Sequence, residues 1–124
     1  MKALLAIACA AALSAGTAHA DCSYPAAPTG LPDGRTATLE EMVAGQKTVK
    51  DYDAAIKTYV DCIDKELEDN LAKAGDSLKP AQKTEMQKME AQKHNAAIDQ
   101  LQSVADRFNE QVKVFKQRSA DKKG

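Results

Sequence analysis

Apolar residues recur over 38–74 with the spacing of a single helical face. Met42, Val49, Ile56, Ile63, Leu67 and Leu71 run along it, Tyr52 and Tyr59 border one edge, and Val60 lies towards the other. At about 100° per residue these side chains fill an arc of about 160°, a buried face rather than a narrow coiled-coil seam. Cys62 falls just outside the arc, beyond the tyrosine edge. Thr38-Leu39-Glu40-Glu41 has the form of a capping box, with the Thr38 hydroxyl placed to take the Glu41 amide. Gly75 is suited to follow the last helical residue.

A second helical pattern begins at Pro80, a residue that fits the first turn of a helix. Met86, Met89, Ala97, Ile98, Leu101, Val104, Ala105, Phe108, Val112 and Phe115 supply its apolar face, and the spacing predicts a helix over about 80–118. Residues 119–124 read as a frayed polar tail. Two long helices joined by a short connection predict an all-α antiparallel hairpin. Charge supports the pairing: the first helix is net acidic and the second net basic. Folding about Ser77 would set Asp61, Asp64, Glu68 and Asp69 near Lys83, Lys88 and Lys93, and Glu40 and Glu41 near Lys113, Lys116 and Arg118. Exposed pairs are worth only about 0–1 kcal/mol each, so they choose register more than they stabilise.

A two-helix hairpin has one seam and a thin core, and it needs a staple, a third layer or a partner. Residues 21–37 hold Pro25, Pro28, Pro32, Gly30 and Gly34, which excludes a helix or interior strand and predicts an extended strap. Pro32-Asp33-Gly34 is a turn signal. The strap between Cys22 and Thr38 reaches about 53 Å when extended. Cys62 lies only about 36 Å along the first helix from Thr38. The strap can therefore double back along the edge formed by Ala44, Gly45, Thr48, Tyr52, Ala55 and Tyr59, with Tyr24 and Leu31 covering apolar surface.

The first twenty residues change the picture of compartment. Lys2, the uncharged apolar stretch 3–13 and Ala18-His19-Ala20 occur in the order of an export leader, with cleavage expected between Ala20 and Asp21. The apolar stretch is too short to span a membrane, and no later segment approaches one. Removal of the leader takes away Cys9 and His19 and leaves Cys22, Cys62 and His94. Two cysteines in an exported chain read as a structural disulfide. The location expected is periplasmic or secreted. With 17 Lys and Arg against 18 Asp and Glu, and Lys2 lost with the leader, there is no electrostatic footprint for nucleic acid.

Candidate chemistry is sparse. Met86, Met89, Glu90 and His94 lie within a short span of the second helix, and thioethers with imidazole suit Cu(I). The competing reading makes Met86 and Met89 core residues, with His94 at the border of the apolar face. Asp61, Asp64, Glu66, Glu68 and Asp69 lack the alternating loop and turn glycine of a calcium site. No glycine-rich phosphate loop, nucleophile elbow or zincin motif occurs, and Cys22 and Cys62 do not form a CxxC pair. The expectation is a protein without enzymatic activity or cofactor.

Cys22-Ser23-Tyr24-Pro25, Pro32-Asp33-Gly34, Cys62, Gln92-Lys93-His94-Asn95-Ala96-Ala97 and Arg107-Phe108-Asn109-Glu110-Gln111-Val112 together make a pattern. It resembles small exported helical proteins of Gram-negative proteobacteria, usually described only as hypothetical. The resemblance implies a periplasmic or secreted location and carries neither an activity nor site residues. The function expected is a structural, adaptor or chaperone-like role in the cell envelope, with a protein partner or self-association. The alternative is a periplasmic metal- or small-ligand-binding protein using Met86, Met89, Glu90 and His94.

Overall fold

The computed structural model describes residues 21–124. The expected leader at 1–20 lies outside the described residues. Helix α1 spans Leu39–Ala74 and helix α2 spans Pro80–Asp121, packed as an antiparallel hairpin. The second helix thus runs three residues past the expected end at Arg118, where the Ser119 hydroxyl donates to the Phe115 carbonyl at 2.9 Å.

Local chemistry sets the helix ends. The Glu41 amide donates to Thr38 Oγ1 at 3.1 Å and the Thr38 amide to Glu41 Oε2 at 2.7 Å, completing the capping box. Gly75 closes α1 at a φ of 49°, a left-handed value that glycine adopts without steric cost, and its amide reaches the Leu71 carbonyl. A 3-10 turn at Gly75–Ser77 leads to Lys79, whose amide donates to Gln82 Oε1 at 3.0 Å.

The core occupies only part of the hairpin. Tyr52, Ile56, Tyr59, Val60 and Ile63 pack against Ala97 and Val104, and Met42 packs with Ala37 and Phe108. Ile56 and Val104 are fully buried. Over 64–96, which holds the connecting turn, no described residue is buried. The sequence explains why. The positions seven beyond Tyr59 and Ile63 are Glu66 and Asn70, and the position seven before Ala97 is Glu90. Polar residues therefore enter the seam where its apolar stripe should continue, and they cannot replace the lost burial.

The strap supplies a third layer over the other half. A disulfide joins Cys22 to Cys62, with their Cα atoms 5.7 Å apart. The Tyr24 ring meets Tyr59 edge-on at 5.0 Å, and Leu31 packs against the core. Pro32 rests on Gly45, where an added Cβ would lie 2.6 Å from the proline ring and 2.8 Å from Phe108. The strap is not confined to the edge of α1, however. Its turn crosses to α2, where the Gly34 amide donates to Gln111 Oε1 at 2.9 Å. The turn is closed by Thr36 and Ala37 amides donating to the Asp33 carbonyl at 3.1 and 2.8 Å.

The cross-helix charge pairing is not formed. Among the described residues every ion pair lies within one element: Lys47–Asp51, Lys57–Asp53 and Lys65–Asp69 in α1, Lys113–Glu110 in α2, and Arg35–Asp33 in the strap. The Arg35 guanidinium holds Asp33 below the usual carboxylate range. Side chains three or four residues apart on an exposed helix face are close neighbours and reach each other first.

Candidate functional site

Two surfaces stand out, one on each side of the helix seam. The first is the strap side. One stripe of α2, spaced by seven residues, runs Ala97, Val104, Gln111, Arg118. Its first two members fill the core and its last two hold the strap. Arg118 donates through Nη1 to the Arg35 carbonyl at 2.6 Å and through Nη2 to the Ala37 carbonyl. Its guanidinium also lies 5.1 Å from the centre of the Phe115 ring. Arg118 was expected opposite Glu40 and Glu41; instead it bridges two carbonyls of the turn that ends the strap. Arg118→Ala is expected to cost about 1–2 kcal/mol in urea unfolding, from two charge-assisted bonds at a partly exposed site. Arg118→Lys should recover only part of this, because a single ammonium lacks the planar fork.

At the other end of the strap, burial raises the pKa of Tyr52 and Tyr59, with the nearby Tyr24 adding to both shifts. The buried Tyr52 hydroxyl has no hydrogen bond of acceptable geometry among the described residues, although Tyr24 is close enough to influence it.

The structure brings the residues singled out for metal binding together only in part. Met89 is 52% exposed and so is not the core residue its spacing predicted; Met86 is only partly buried. Met86, Met89 and Glu90 line a shallow groove with Ile63, Glu66, Leu67, Asn70 and Lys93, and His94 is not among its walls. Among the described residues no three His, Cys, Asp or Glu side chains are grouped closely enough to hold a metal ion.

Glu90 has a different relationship, with Asp64 on the facing helix. Hydrogen bonding to Asp64 raises its pKa, burial adds to the rise, and His94 opposes it. The folded chain therefore keeps this proton at a pH where the unfolded chain has released it. The resulting stability is fully present below the unfolded carboxylate pKa and is lost as pH rises through the folded one. Amide protection over 64–96, taken relative to the intrinsic exchange rate at each pH, should increase on moving from neutral to mildly acidic pH. Glu90→Gln, which removes the charge, should flatten that response and stabilise the neutral-pH protein by about 0.5 kcal/mol. An unchanged pH response in the variant would assign the effect elsewhere.

The second surface lies on the side away from the strap, at the open end of the hairpin. Leu39, Met42, Val43 and Gln46 of α1 face Phe108, Val112, Phe115 and Lys116 of α2 across a groove of about 220 Å³. Leu39 is 65% exposed and Val43 57%. These two residues sit at the start of α1, on the far edge from the strap. Sequence reading placed neither of them in a site. A pair of large aliphatic residues in the first turn and a half of α1, on the uncovered edge of the helix, was the available signal.

No protein-family model, curated protein or solved structure matches this chain.

Proposed function

We propose that this is an exported protein without enzymatic activity, working in the periplasm or outside the cell as a structural or adaptor component through its open-end surface. The observation that carries the reading is the uncovered apolar groove walled by Leu39, Val43, Val112 and Phe115, on a hairpin whose strap is committed to the opposite side. Exposed aliphatic residues beside an apolar groove are the usual mark of an interaction surface. The Cys22–Cys62 disulfide supports export, because such bonds persist in oxidising compartments. No helix among the described residues is long and apolar enough to cross a membrane.

The test is in-cell cross-linking combined with fractionation. A photoreactive residue at Val43 should give discrete adducts in the periplasmic or secreted fraction. The same residue at the exposed Thr58, in the middle of α1, should give none. Retention of the protein in the cytoplasm, or equal labelling from both positions, would overturn the reading.

A further inference from the structure

We propose that Asp33–Gly34 is a covalent modification site of this chain. It rearranges to an isoaspartyl linkage when the turn at 33–37 leaves α2, and docking on α2 holds the reaction back. The inference is independent of the open-end groove.

Asp33–Gly34 is the one Asp-Gly step in the sequence, and there is no Asn-Gly. The chemistry needs no co-reactant but water. The Gly34 nitrogen attacks Cγ of Asp33 and closes a succinimide ring. The N–Cγ bond forms, and the amide hydrogen leaves with the carboxyl hydroxyl as water. Water then adds to either ring carbonyl. Opening at the side-chain carbonyl restores aspartate; opening at the backbone carbonyl leaves the chain running through Cβ and Cγ. The net change is an isomerisation, so nothing is oxidised or reduced. Glycine favours the closure because no Cβ obstructs its nitrogen or restricts its backbone.

The folded chain blocks each requirement of that step. The nucleophile is occupied: Gly34 is buried, and its amide donates to Gln111 Oε1 at 2.9 Å. The peptide is held: the Asp33 carbonyl accepts the Thr36 and Ala37 amides at 3.1 and 2.8 Å. Turning the Gly34 nitrogen onto Cγ would pull that oxygen away from both. The electrophile is tied as well, with Oδ1 accepting the Arg35 amide at 2.9 Å and Oδ2 accepting Arg35 Nη2 at 3.1 Å. Hydrogen bonding to Arg35 keeps this carboxyl ionised to lower pH than usual. A carboxylate must gain a proton before its oxygen can leave as water.

The change is one-way for the fold. An isoaspartyl linkage adds one carbon to the backbone of a turn that has no spare room, since even a Cβ on Gly34 would overlap the Gln111 carbonyl. The lengthened turn cannot dock again, and Gln111 and Arg118 lose their hold on it. A turn left open long enough is thereby kept open.

The test is peptide mapping by mass spectrometry, with fragmentation that tells isoaspartate from aspartate, after prolonged warm incubation of the oxidised protein lacking residues 1–20. Native protein, urea-unfolded protein and native Gln111→Ala, its helicity checked, are compared at one pH. Reaction through local opening follows the open population, so isoaspartate at Asp33 should form at least about tenfold faster in urea than in the native protein. Gln111→Ala removes one hydrogen bond from the docked turn and should quicken the native reaction about three- to tenfold. Isolated isoaspartyl protein, returned to native buffer, should be cut by trypsin after Arg35 sooner than the unmodified protein. Equal rates with and without urea, or no isoaspartate at Asp33 in urea, would overturn the proposal. A Gln111→Ala rate equal to the wild type would remove docking as the cause of protection. Unchanged trypsin cleavage would show that the modified turn still docks.

Discussion

Replacing Cys62 with Ser is expected to lower stability by about 4 kcal/mol in the chain-entropy model, because the lost bond closes a loop between residues 40 apart. For a domain of this size that corresponds to a fall in melting temperature of roughly 15 °C or more. The damage should be confined. Residues 21–32 have no regular secondary structure, and what holds them apart from the disulfide is side-chain packing: Tyr24 on Tyr59, Ala27 and Leu31 on the core, Pro32 on Gly45. Their release should expose the strap to proteases up to the Asp33 turn, which Gln111 and Arg118 still clamp. The helices should survive, since their caps do not involve residues 21–32 and the buried core around Ile56 and Val104 is built from residues of the two helices. Limited proteolysis and circular dichroism on the oxidised protein, the reduced protein and Cys62→Ser would check this. Equal strap protection in all three would mean that packing alone holds it. Loss of the helices with the bond would mean that the third layer is needed to form the hairpin at all.

The hairpin and the strap were legible because each rests on a short-range rule. Apolar period, a capping box, a glycine stop and Pro80 define the helices; prolines forbid one in the strap; two cysteines and a reach calculation join the parts. The depth of the seam was harder to read. Leu67, Leu71, Met86 and Met89 have the right spacing for burial, yet none of them is buried. Spacing gives the side of the helix. Burial also requires an apolar residue on the facing helix, and there the seam holds Glu66, Asn70 and Glu90. The charge pattern misled for a related reason. Net charge on each helix describes the whole cylinder, whereas an ion pair needs two side chains within reach, and neighbours on the same helix reach first.

No motif or compositional feature marks the candidate surface. The groove at Leu39 and Val43 exists because the strap covers one side of the seam and leaves the other open. That choice of side is made by contacts between residues distant in sequence, chiefly Gly34 with Gln111 and Arg118 with the strap carbonyls. Besides Leu39 and Val43 themselves, the period-seven stripe on α2 hinted at it, since Gln111 and Arg118 occupy positions where a continuous core would have placed apolar residues.

Gly34 is where this choice is tested most directly. The turn at 33–37 approaches α2 so closely that a Cβ on Gly34 would overlap the Gln111 carbonyl and lie 2.8 Å from the Phe115 amide nitrogen. Both are backbone atoms of a regular helix and cannot swing aside as a side chain can. Gly34→Ala should therefore lift the turn off α2, at a cost of about 2–3 kcal/mol. The same change at Gly45 meets the Pro32 ring, which is tied to the strap backbone, and the edge of the buried Phe108, so a cost of about 1–3 kcal/mol is expected there too. With the disulfide intact, the Cys22 end of the strap stays attached in Gly34→Ala while the Gly34–Gln111 and Arg118–carbonyl bonds are lost together. Adding Arg118→Ala to Gly34→Ala should then cost little more, a non-additivity that a double-mutant cycle in urea would measure. Fully additive losses would show that the turn remains docked and that Arg118 acts independently of it. A Gly34→Ala variant as stable as the wild type would show that the strap can reach Cys62 by a path that does not touch α2.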